Sequence, residues 1–125
     1  MPLLLAVALA ASPTIEQMTW ERRLLILSAS AAGDPTLAKQ HRILAGWKAN
    51  AAARDLTIVE VVGDTVRGAS DTATALRRRY HLPATFTVIL IGKDGSEKLR
   101  SGTPFPAAVL ERTIDAMPMR KAGQR

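Results

Sequence analysis

The sequence predicts one α/β domain built around a mixed sheet, and three observations lead there. Short apolar, β-rich runs recur at residues 24–27, 56–62 and 86–91, each of strand length and bounded by turn residues. Between them lie segments with helix-start signals and apolar residues at helical spacing. The third run passes into Gly92-Lys93-Asp94-Gly95 and a charged stretch, the pattern of a hairpin rather than of another crossover.

Leu24-Leu25-Ile26-Leu27 ends in a Ser/Ala/Gly-rich loop and reads as a buried strand. Asp34-Pro35 starts a helix, with Asp as N-cap and Pro at the first helical position. Leu37, Leu44, Trp47 and Ala51 then fall on one stripe, completed by Gln40, and this helix is expected to reach Ala53. Leu56–Val62 is apolar on both faces except at Glu60, which suits a strand in a parallel pair. After a polar loop from Gly63 to Ser70, Asp71 is placed to cap a second helix. In it Ala73, Leu76 and Tyr80 share a face, Arg77, Arg78 and Arg79 point outward, and Pro83 ends the element. Phe86–Ile91 forms a third strand and Lys98-Leu99-Arg100 a short fourth. A last helix carries Ala107, Leu110, Ile114 and Met117 on one stripe and closes at Pro118. The order β-α-β-α-β-β-α, with a mixed four-stranded sheet flanked by helices, is the thioredoxin-like arrangement.

A chain of 125 residues has room for one domain and one core. It has no cysteine, so disulfides, thiolate metal sites and thiol redox chemistry are excluded. Residues 1–10 are apolar and end in Ala8-Leu9-Ala10, a small-x-small pattern. They read as a secretory signal peptide cleaved near Ala10, although only Met-Pro precedes the apolar run. The segment is too short to span a bilayer, which takes about 20 residues. The domain proper is assigned to 18–120 and a basic tail to 121–125, in a protein expected to be periplasmic or secreted. Residues 1–76 hold seven Lys/Arg and seven Asp/Glu, whereas residues 77–125 hold ten and four, so the whole net charge of +6 sits in the second part. Such asymmetry points to an anionic partner.

"LIGKDGSEKLR", residues 90–100, invites comparison with a phosphate-binding loop. That loop needs G-x-x-x-x-G-K-[ST] opening a helix. Here the two glycines are three apart with Lys93 between them, and the charged residues after Gly95 read as extended chain. Asp94-Gly95 is instead a turn in which Gly accepts positive φ. With "ERRLLIL" (21–27), Gln40, "RDL" (54–56) and "IDAMPMR" (114–120), this hairpin resembles a bacterial domain-of-unknown-function family over residues 18–120. Related domains occur in secreted animal proteins of the sushi-repeat and coiled-coil-domain-containing matrix groups. The resemblance implies a thioredoxin- or peroxiredoxin-like fold and export, and by analogy an antioxidant role.

Enzymes of that fold place a nucleophilic cysteine at the start of the first helix, where the dipole lowers its pKa. The matching stretch, residues 28–36, offers Ser28, Ser30 and Thr36 instead, and a serine hydroxyl needs an adjacent base to act. The position of the fold's substrate-clamping proline, counted back from Gly95, is Phe86, with Pro83 three residues early. Ser30, His41 and Asp34 do not make a persuasive triad, since Asp34 already serves as an N-cap and no nucleophile elbow is present. His41 and His81 lack metal-ligand spacing. No metal or cofactor is expected.

Two groups of polar residues remain. Gln40, Arg54, Asp55 and Glu60 read as a buried network pinning helix to sheet, with an arginine as the expected partner of Glu60. Arg77, Arg78, Arg79, Lys93, Lys98 and Arg100 are the candidate binding face, if the second helix and the hairpin lie together. Nucleic acid is disfavoured, because only Tyr80 and Phe86 are at hand beside these charges to stack on bases, and export separates the protein from nucleic acid. Anionic envelope polymer, lipid headgroups or a protein partner fit an exported protein better. Arg120, just past the last helix, is placed to meet its final carbonyls. The leading expectation is a binding module; the alternative is an enzyme or oxidant-defence protein of non-thiol mechanism.

Overall fold

Arg23–Ala29 (β1) is buried at every position, as a strand covered by helices on both faces must be. A computed structural model of the chain describes residues 12–123; the expected signal segment and the last two residues of the basic tail lie outside the described residues. β1 pairs in parallel with Leu56–Val62 (β2) and antiparallel with Thr87–Ile91 (β4). Glu97–Ser101 (β5) completes the predicted hairpin with β4. Gly95 takes φ +84° in the turn, and the Asp94 carboxylate accepts from the Ser96 amide at 3.0 Å. This is an Asx-type turn, and it has no helix behind it.

The sheet has five strands, not four: the extra one, Thr65–Arg67 (β3), lies in the segment predicted to be a loop. The order is β3-β2-β1-β4-β5. Gly63 turns the chain at φ +57°, after which Val66 pairs with Val61 and Arg67 with Glu60. Beyond it Gly68 has φ +90°, and a Cβ there would stand 2.3 Å from the Ile58 carbonyl oxygen. Only glycine lets the backbone pass so close to β2.

One face of the sheet packs Leu24, Ile26, Val59, Val61, Ile89 and Ile91 against Ile15–Met18 (α1) and Ala73–Tyr80 (α4). The other packs Leu25, Leu27, Leu56, Val88 and Leu90 against Pro35–Ala45 (α2), Lys48–Ala53 (α3) and Ala107–Asp115 (α5). The expected single first helix breaks at Gly46, yet Leu37, Trp47 and Ala51 still meet the same core. Asp71 does not cap α4. Thr72 does, accepting from the Ala75 amide at 3.1 Å, while Asp71 accepts from the Ile15 amide at 2.8 Å and so anchors α1. Pro118 opens a short helix, Pro118–Lys121 (α6), rather than only ending the previous one; proline is at home in a first helical turn.

Candidate functional site

The carboxyl ends of β1 and β2, where open α/β sheets receive ligands, carry an open cleft. Asp34 caps α2 by accepting from the Thr36 and Leu37 amides at 2.8 and 3.3 Å. This cap holds the preceding loop, Ser30–Gly33, at the sheet's edge. Ser28 is buried within β1 and Ser30 is exposed. Ser30 and Ala31 join His41, Glu60, Asp64 and Arg67 around a cleft of about 450 Å³.

Glu60 lies on the α2 side of β2, and its partner is His41 rather than the arginine expected from the sequence: His41 Nε2 stands 2.9 Å from Glu60 Oε2. The helix brings an imidazole into reach, whereas Arg67 is only the cross-strand neighbour in register. With Asp34 occupied at the cap and His41 on Glu60, the Ser30–His41–Asp34 arrangement does not form. Across Gly63 a second cavity of about 280 Å³ is lined by Ser30, Asp64, Arg77, Pro83 and Ala84. Pro83 therefore reaches this edge despite its early position in sequence, and Phe86 is a buried core residue instead.

The four residues read as one buried network occupy separate places. Gln40, fully buried, donates to the Phe105 carbonyl at 3.1 Å and accepts from the Phe105 amide at 2.8 Å. It thus latches α2 to the loop before α5. Arg54 grips Asp115 of α5 through two hydrogen bonds of 3.1 Å each. Those bonds hold the Asp115 carboxyl below its usual range, with Arg120 adding to the effect. Asp55 accepts from Lys93 at 2.9 Å, a pair drawn from the end of the helical crossover and the hairpin turn.

The six candidate cations do not form one face. Lys93 is buried against Asp55 at the amino end of β1, while Arg77 donates to the Gly63 carbonyl at the opposite end. Lys98 pairs with Asp94 at 3.3 Å. Arg100 pairs with Glu97 at 2.9 Å and also donates to the Tyr80 and His81 carbonyls that end α4. Arg77, Arg78 and Arg79 differ: none has a carboxylate within ion-pair distance among the described residues. Arg78 and Arg79 are exposed, and Arg79 sits over the Tyr80 ring at 5.6 Å, a cation–π contact. Arg120 donates to the Asp115 side chain and to the Ala53 carbonyl, so it ties α5 to α3 rather than meeting the final carbonyls of α5. Sequence reasoning passes over Arg23, which stands there only as the head of an apolar run. It is 1% exposed, and the one signal is its place at the first residue of a central strand.

A cysteine-free loop at the head of the first crossover helix, on this sheet, defines a thioredoxin-fold protein without thiol chemistry. Residues 14–123 match the family described as "Domain of unknown function (DUF4174)", and the chain belongs to that family. Among solved structures it is similar to a Chlorobium tepidum protein described as a putative thiol:disulfide interchange protein DsbE, at 20% identity and TM-score 0.59 over 86% of this chain and 91% of that one. It is also similar to a secreted Mycobacterium tuberculosis disulfide oxidoreductase, at 12% identity and TM-score 0.56 over 86% and 96%. A thioredoxin from Thermus thermophilus matches at 22% identity and TM-score 0.53 over 94% and 93%. At these identities the likeness establishes the fold.

Proposed function

We propose that the protein is an exported binding module that contacts anionic envelope material through α4, beside the clefts at the carboxyl end of the sheet. The observation carrying this reading is the run Arg77, Arg78 and Arg79, three cations without acidic partners among the described residues next to a cavity that Arg77 lines. Cations left uncompensated at a cleft attract anions over distances set by ionic strength. The apolar start of the chain and the similarity to a secreted protein of the same fold support export; a mature chain beginning at Met1 in cells would remove that part. The alternative, a non-thiol enzyme, has the His41–Glu60 pair in its favour. Against it, no hydrogen bond joins Ser30 to His41 among the described residues, which leaves the serine without that base to activate it.

The test is chromatography of the full chain on an anionic matrix across a salt gradient. Retention is expected to fall with salt, and Arg78→Glu with Arg79→Glu is expected to elute markedly earlier. Unchanged elution of that variant refutes the reading. Arg77 is left intact because it also braces the Gly63 turn.

A further inference from the structure

A smaller cavity of about 170 Å³ opens at the other end of the sheet, lined by Trp20, Arg23, Lys93, Lys98, Met117 and Met119 among others. Its floor is Arg23, whose Nε donates to the Met117 sulfur at 3.3 Å and whose Nη1 donates to the Arg54 carbonyl at 2.8 Å. Among the described residues no carboxylate lies within ion-pair distance of this guanidinium, which is 1% exposed. A thioether is a weak acceptor and a single carbonyl a neutral one. The charge is therefore buried without a direct counter-ion, the circumstance in which a guanidinium gains most from an incoming anion. The burial itself lowers the pKa of Arg23, and nearby Arg120 acts in the same direction, with Asp55 and Asp115 opposing.

The other charges at the cavity are matched. Lys93 is neutralised by Asp55 and Lys98 by Asp94, and Asp94 is further engaged by the Ser96 amide and hydroxyl. At the mouth stands Trp20, 64% exposed and held at φ +74° by donating its amide to the Lys93 carbonyl. A bulky residue in left-handed backbone is strained, and such strain clusters at ligand sites. Met117, Pro118 and Met119 supply an apolar wall, methionine being adaptable and favourable beside aromatic rings. A cavity of about 150 Å³ accepts a benzene-sized body.

We infer that this cavity binds a small carboxylate with an apolar body the size of a single ring, the carboxylate on Arg23 and the body between Trp20 and the two methionines. A guanidinium receives a planar carboxylate through paired hydrogen bonds, and an indole face covers a ring or alkyl group. The site is on the opposite end of β1 from α4's arginines, so each stands or falls without the other.

The experiment is an NMR titration of the full chain with 3-phenylpropionate, and with 3-phenylpropanamide as its neutral match. The acid is expected to shift the Trp20 indole and the Met117 and Met119 methyl signals saturably, with the amide at least tenfold weaker. Trp20→Ala, at an exposed position, should weaken the acid by about two- to tenfold through the lost ring contact. Arg23→Gln should weaken it by at least tenfold; if circular dichroism shows that variant unfolded, the acid–amide comparison alone decides. N-acetylphenylalaninate distinguishes the sources, binding more tightly than the free acid if the natural ligand is the end of a peptide and less tightly if it is a free carboxylic acid. Absence of saturable shifts, equal binding of acid and amide, or full binding by a folded Arg23→Gln variant overturns the assignment.

Discussion

Replacing Gln40 by glutamate keeps the shape of the latch and changes one donor into an acceptor. The wild-type amide gives Nε2–H to the Phe105 carbonyl and takes the Phe105 amide on Oε1, inside a site with no solvent exposure. A protonated carboxyl satisfies both bonds, whereas an ionised one faces the carbonyl oxygen with a buried charge. In Gln40→Glu the folded chain therefore holds its proton to higher pH than the unfolded chain, in which glutamate titrates at about 4.3. Above that pH the folded state binds more protons than the unfolded one, so stability is present below it and falls as pH rises. The slope is limited to about 1.4 kcal/mol per pH unit, so up to about 4 kcal/mol disappears between about pH 4.3 and 7. Urea unfolding of wild type, Gln40→Glu and Gln40→Leu at about pH 4.5, 5.5, 6.5 and 7.5 measures this directly. The glutamate variant should diverge progressively from wild type, while the leucine variant stays at a constant offset, because leucine does not titrate. A glutamate offset that is flat with pH refutes the latch.

Two further substitutions address the frame. Asp115→Asn removes the charge that Arg54 grips at two points, and since Asp115 is substantially exposed the loss at neutral pH should be about 0.5–1 kcal/mol. Because Arg54 lowers the folded pKa of Asp115, the wild-type contribution is present above the ordinary aspartate range and vanishes as pH falls through the folded value. Denaturant melts of wild type and variant should therefore converge in acid, and a gap that persists there would contradict the pairing. Gly68→Ala meets both a φ of +90° and the Ile58 carbonyl at 2.3 Å, and should lose about 2–4 kcal/mol. Thermal unfolding checks this, and a melting temperature equal to wild type would show that β3 is not tied to β2 as described.

The parts of the fold legible in the sequence are those that short-range physics writes there. β1 and β2 follow from β-rich apolar runs, the start of α2 from Asp34-Pro35, and the β4–β5 turn from Asp94-Gly95. β3 is not legible because three residues, Thr65–Arg67, carry no period, and their pairing depends on how Gly63 turns the chain. α1 escapes for the same reason: four residues, Ile15–Met18, held by a Thr14–Gln17 capping box. Pairings between distant segments are the least readable. Lys93 looks like a surface cation because its partner Asp55 is 38 residues away, and Glu60 suggests an arginine because nothing local announces His41. Asp71 shows a local rule overridden: Thr72 next to it is equally able to cap, which frees the aspartate to hold α1.

The polar ties from the first half of the chain to α5 and its flanks span long stretches of sequence. Gln40 reaches Phe105 across 65 residues, Trp47 reaches Glu111 across 64, Arg54 reaches Asp115 across 61 and Arg23 reaches Met117 across 94. Closing loops of that length is entropically slow, so the β1-α2-α3-β2 unit is expected to assemble first and α5 to dock late. Contacts made after the transition state slow unfolding rather than speed folding. Sited on a late-docking helix and its flanks, these polar ties act chiefly on the lifetime of the folded state.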